Sequence, residues 1–65
     1  MAARIHSTAI VEDNVRIGDK TSIWDNVHVR HDSEIGEECI VGEKTYIAYG
    51  VKIGDRVKIN AMVYV

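Results

Sequence analysis

The chain has 65 residues, a formal net charge of −2 and one cysteine, Cys39. That length holds a single small domain, and one thiol permits no internal disulfide, so a reducing, cytoplasmic setting is expected. The scattered Lys and Arg exclude the basic surface that nucleic-acid binding needs, no apolar run nears the ~20 residues of a membrane span, and "MAARIHSTAI" has no signal-peptide core.

In chain order the strand candidates come at one fixed pitch. After a lead-in at 1–4, Ile5 is followed at intervals of six by Val11, Ile17, Ile23, Val29, Ile35, Val41, Ile47, Ile53, Ile59 and Val65. An α-helix turns by about 100° per residue, so this spacing scatters the residues around it. β-Branched side chains also favour extended backbone. A second column lies four residues after each member of the first: Ala9, Val15, Thr21, Val27, Ser33, Cys39, Thr45, Val51, Val57 and Val63. Its members stand two residues before the next Ile or Val, hence on the same side of a strand. Each hexad therefore predicts a short strand with two inward residues and then a corner. Gly18, Gly36, Gly42, Gly54 and the Asp-Asn or Asp-Lys pairs are expected to make those corners.

The related stretches "RIGDK" (16–20), "EIGEE" (34–38) and "KIGDR" (52–56) recur every 18 residues, which is three hexads. Three strands and three corners make one triangular coil. The repeat covers 5–65 as a single domain of about three and a third coils. It stops on the inward residue Val65, in mid-pattern, and leaves strand edges unpaired. A C-terminally truncated piece of a longer stack, or end-to-end pairing of copies, is the expectation.

Residues 18 apart should stack, which sorts the outward positions into three columns. Arg16, Glu34 and Lys52 alternate in sign, as in a solvated ladder. Arg4, Ser22, Ile40 and Lys58 are mostly polar. Ile10, His28, Tyr46 and Tyr64 are apolar and aromatic, and this column is expected to be the face buried against other subunits. Asp19, Glu37 and Asp55 share an edge with Lys20 and Arg56 beside them, which reads as a solvated corner rather than a cation site. On another edge Arg30 should stack over Glu12 as an ion pair.

This pattern resembles the hexapeptide repeat of left-handed parallel β-helix proteins, an all-β class, over residues 5–65. The left hand is implied by the resemblance and runs against the usual crossover rule. Most proteins of this kind are acyltransferases that use acetyl-CoA or a related thioester at sites between the subunits of a trimer. "SIWDNVHVR" (22–30) and "CIVGEKTYIAYGVKIGDRVKI" (39–59) are similar to the nucleotide-sugar N-acetyltransferases of bacterial surface-glycan synthesis. That likeness implies a homotrimer, acetyl-CoA as co-substrate, no metal, and acetylation of the amino group of a nucleotide-linked amino sugar. In those enzymes a stretch rich in Asn and Gln follows the "VKIGDRVKI" segment, and "NAMVYV" here keeps only Asn60. The later coils that supply most of the acceptor and CoA pocket are not in this sequence, so a complete active site is not expected of these 65 residues alone.

The candidate site residues follow. His28 lies on the proposed interface and serves either as base or substrate contact, or as an interface side chain. His31 stands beside Asp32, which could orient its imidazole, or is a solvated corner. Trp24 takes a corner position usually held by a small residue; with Asn60 it is a candidate substrate or cofactor contact, and otherwise it covers the neighbouring coil. Cys39 reads as a core thiol and His6 as incidental.

Two other readings stay open. "SIWDNVHVRHD" also resembles the Ser-Ile-Trp…Arg-x-Asp segment of γ-class carbonic anhydrases at Trp24, Arg30 and Asp32. That would imply zinc held by three histidines from two subunits. The ligand histidines of that family follow an Asn-Ile-Gln segment this sequence lacks, and His28 and His31 do not reproduce their spacing. The other reading is a catalytically inert, trimerising β-helix remnant.

Overall fold

Ten two-residue strands carry the fold in the computed structural model, which describes residues 2–65; of the lead-in 1–4, Met1 lies outside the described residues. They are β1 (Arg4–Ile5), β2 (Ile10–Val11), β3 (Arg16–Ile17), β4 (Ser22–Ile23) and β5 (His28–Val29). The rest are β6 (Glu34–Ile35), β7 (Ile40–Val41), β8 (Tyr46–Ile47), β9 (Lys52–Ile53) and β10 (Lys58–Ile59). Each of β1 to β7 pairs in parallel with the strand three further on. The result is three flat sheets, β1-β4-β7-β10, β2-β5-β8 and β3-β6-β9. The register joins residues 18 apart, as in Arg4↔Ser22, His28↔Tyr46 and Glu34↔Lys52, and Tyr64 adds a single parallel bridge to Tyr46. The three predicted columns are thus the three outer faces of an all-β parallel coil of about three turns, the left-handed β-helix architecture.

Inside the coil, Ile23, Val27, Val29, Ile35, Cys39, Val41 and Ile47 are buried and form the core. Three hydroxyl residues are buried with them. Thr21 Oγ1 donates to the Gly36 carbonyl at 2.6 Å, Ser33 Oγ to that of Ala48 at 2.7 Å, and Thr45 Oγ1 to that of Asn60 at 3.0 Å. The same oxygens accept from the backbone N–H groups of Cys39, Val51 and Val63. Cys39 Sγ makes the equivalent contact to the Gly54 carbonyl. The second column is therefore more than a set of small fillers. Its hydroxyls stitch each coil to the next where the corners leave peptide groups without strand partners.

The Asp-Asn and Asp-Lys pairs turn the corners as expected, at Asn14, Asn26 and Lys20, whereas most of the glycines do not. Positive φ falls on Asn14, Lys20, Asn26, Asp32, Glu38, Lys44, Gly50, Arg56 and Met62, every sixth residue from 14 to 62. Gly18, Gly36, Gly42 and Gly54 do not adopt it. An L-residue in that region costs about 1–2 kcal/mol. From Asp32 onward the N–H at that position is satisfied by a carbonyl of the coil before, as with Lys44 N to Asp25 O at 2.9 Å and Arg56 N to Glu37 O at 2.8 Å. Gly18, Gly36 and Gly42 serve close approach instead: a Cβ there would lie 2.6–2.7 Å from backbone atoms of the next coil.

Candidate functional site

On the β2-β5-β8 face, His28 of β5 and Tyr46 of β8 are register partners, and their rings meet edge to face at 5.6 Å. Tyr64 extends the column, its ring 4.9 Å from that of Tyr46. Ile10 and Tyr64, at the two ends, are 57% and 78% exposed, while His28 and Tyr46 are half-buried.

Two corner residues brace the middle of this face. Glu12 follows β2 and Arg30 follows β5, each two residues past an outward strand position, so each leans diagonally over the next coil. Glu12 Oε2 meets His28 Nε2 at 2.7 Å. Its Oε1 accepts from Arg30 Nε and from the backbone N–H of His31, both at 3.0 Å. Arg30 Nη1 then donates to the Tyr46 hydroxyl at 2.7 Å. The two diagonals, Glu12 to His28 and Arg30 to Tyr46, span the same 16 residues.

These bonds govern the charges. The His28 hydrogen bond, more than the contacts with Arg30 and the His31 amide, carries the Glu12 carboxyl from an ordinary 4.5 down to about 2, against the opposing effect of partial burial. The Tyr46 hydroxyl, and then Glu12, raise the Arg30 guanidinium and keep it charged. The predicted Arg30–Glu12 pair is present, but as one arm of a four-residue network.

His31 lies on the same edge and is tied to the network by its backbone. Its Nδ1 meets Asp32 Oδ2 at 2.8 Å, and its ring stacks on Tyr49 at 5.5 Å and 6°. The contact with His31 holds the Asp32 carboxyl below its usual range. The two histidines are thus brought together through Glu12. Glu12 and Tyr49 were not foreseen as site residues. Tyr49 had a signal, since it stands 18 residues after His31; Glu12 had a fainter one, the diagonal offset.

Trp24 and Asn60 share a different edge, two coils apart, with Gly42 between them. Trp24 is half-exposed and lines a groove of about 260 Å³ with Arg4, Ile5, His6, Ser22 and Ile23. The backbone carbonyl of Asn60 is taken up by Thr45. On the acidic edge, Asp55 Oδ1 accepts from the Glu37 backbone N–H at 2.8 Å. Among the described residues no three His, Cys, Asp or Glu side chains are placed to hold a metal ion, and no helix is long and apolar enough to cross a membrane.

The sequence matches the family model described as "Bacterial transferase hexapeptide (six repeats)" over residues 14–48 and 32–65. It is also 43% identical over 54 residues to "Bifunctional protein GlmU" of Geotalea uraniireducens (strain Rf4). That stretch is 83% of this chain and 12% of the relative, so the chain spans a small part of the curated protein it matches. With the six-residue pitch unbroken and three parallel faces in 18-residue register, the chain belongs to the bacterial transferase hexapeptide family.

Proposed function

We propose that this β-helix supplies one wall of an acetyltransferase site in a cytoplasmic homotrimer, where acetyl passes from acetyl-CoA to the amino group of a nucleotide-linked amino sugar. The observation that carries the reading is His28. Its imidazole is outward and about a third exposed, at the centre of the one aromatic face, with Nδ1 free of partners among the described residues. The transferase family match and the likeness of residues 22–30 and 39–59 to nucleotide-sugar N-acetyltransferases support it.

In this reading Ile10, Tyr46 and Tyr64 bury against the neighbouring subunit, and the groove runs beside them. Acetyl-CoA supplies an activated acetyl thioester. The residues here position the amine, whose nitrogen bonds to the carbonyl carbon as the C–S bond breaks. His28 takes the amine's proton, which returns to solvent or to the departing thiolate. His31, oriented by Asp32, is the second base candidate. The Trp24 groove is lined by Ile5, Ile23 and Trp24 together with Arg4 and His6, a mostly apolar lining with basic groups that suits a slim thioester arm ending in phosphates. Asn60, on the edge it shares with Trp24, is a further polar contact.

Positioned proton transfer contributes about 10²–10⁴ in rate. The test is thiol release from acetyl-CoA in the presence of UDP-linked amino sugars. His28→Gln should lower the rate at least about 100-fold with the oligomer's mass unchanged, and His31→Gln should lower it less. Undiminished transfer by His28→Gln would contradict the assignment.

A further inference from the structure

We propose that Glu12 is a positioning residue that fixes the tautomer of His28, keeping the proton on Nε2 and leaving Nδ1 as the atom that accepts the substrate's proton. This rests on the reading of His28 as the base. Two facts carry it: the 2.7 Å contact of Glu12 Oε2 with His28 Nε2, and the saturation of the other carboxylate oxygen by Arg30 Nε–H and the His31 N–H. An ionised carboxylate only accepts, so in the neutral ring Nε2 must carry the hydrogen. The remaining groups that face the ring cannot substitute. Arg30, from the corner after β5, has only donors and spends two of them on Glu12 and Tyr46. Tyr46, from β8, presents its ring edge to face, and its hydroxyl is engaged by Arg30. From β2, Ile10 offers no polar atom. Glu12 also stays ionised across the working range, because three donors converge on it.

The arrangement makes an unusual prediction for an amide at position 12. Arg30 Nε–H and the His31 N–H both require an acceptor where Oε1 sits, so the side-chain oxygen of Glu12→Gln must take that place. The amide nitrogen then faces His28 and can only donate. Nε2 must accept, and the ring proton moves to Nδ1. The substitution is isosteric, yet it inverts the tautomer and blocks the nitrogen that faces solvent. Loss of an orienting carboxylate in this way can lower a rate by about 10⁴.

The experiment is imidazole ¹⁵N NMR of the 65-residue chain at a pH where the ring is neutral. The expected result is the Nε2–H form for His28 in the native chain, the Nδ1–H form in Glu12→Gln, and a mixture in Glu12→Ala. A native Nδ1–H ring, or the same tautomer in all three, overturns the proposal. The native spectrum is decisive by itself should a variant not fold. The tautomer is read without substrate, so an error about Glu12 appears in the spectrum whatever the rate. An error about His28 as the base appears in the rate of His28→Gln whatever the spectrum.

Discussion

Glu12 and His28 meet at 2.7 Å although they come from successive coils and lie 16 residues apart. Arg30 and Tyr46 repeat the relationship one coil further along. A parallel coil with an 18-residue register lets such diagonals recur, because a long side chain two positions past an outward strand residue reaches that residue's partner in the next coil. The face that reads as a plain aromatic column is therefore cross-braced by a carboxylate and a guanidinium. The bracing leaves Ile10 and Tyr64 open and holds His28 and Tyr46 in fixed orientation.

Acid should find this network first. The folded Glu12 carboxyl titrates at about 2 against an ordinary 4.5. A lowered folded value adds stability that is complete above pH 4.5 and is lost as pH falls toward 2. Asp32, held down chiefly by His31, acts in the same sense. Urea unfolding at several pH values should show the native chain losing stability across that window and Glu12→Gln losing less. Equal slopes for the two proteins would contradict the network's role.

The glycines should separate by function. Gly36→Ala places a methyl 2.7 Å from the backbone of Gly54, so the coils must move apart and thermal stability should fall sharply. Gly54→Ala meets nothing within 4 Å and has no positive φ, so it should leave stability unchanged or raise it by about 0.4–1 kcal/mol. Matching melting temperatures for the two variants would refute the close-approach account.

The hydroxyl stitches are open to the same kind of comparison. Thr21→Val keeps shape but strands the Gly36 carbonyl and the Cys39 N–H, and should cost about 1–3 kcal/mol in denaturant unfolding. Ile47→Ala, at a fully buried site, should cost about 2–5 kcal/mol through loss of burial and the cavity it leaves. A neutral Thr21→Val would mean that size alone selects the second column.

How much of this was legible beforehand follows from where the physics is local. The Ile and Val at every sixth position, with small residues four later, dictated strand length, inward faces and the 18-residue register, because burial and β-geometry depend only on spacing. His31 with Asp32, adjacent in sequence, was legible for the same reason. The Glu12–His28 contact was not, because it depends on how far a long side chain leans over the next coil. Nor was the placement of the left-handed turn on Glu38, Arg56 and Met62, since their intrinsic preference argues against it. Inter-coil hydrogen bonds at the corners override that preference, and those bonds exist only once the coils stack.

The face itself can be tested by mass. Tyr64 is 78% exposed, and Tyr64→Asp should leave the monomer folded while removing apolar contact from the proposed subunit boundary. Sedimentation should report about three times 7.3 kDa for the native chain and a lower mass for the variant. A variant mass equal to the native one would move the boundary to another face.

The most direct measurement is calorimetric titration of acetyl-CoA into the purified 65-residue chain. The account predicts saturable binding near one site per chain, weakened by Trp24→Ala and by Tyr64→Asp, because the groove needs both the tryptophan wall and the neighbouring subunit. Absence of binding, or binding indifferent to both substitutions, would contradict a transferase groove at the Trp24 edge beside the aromatic face.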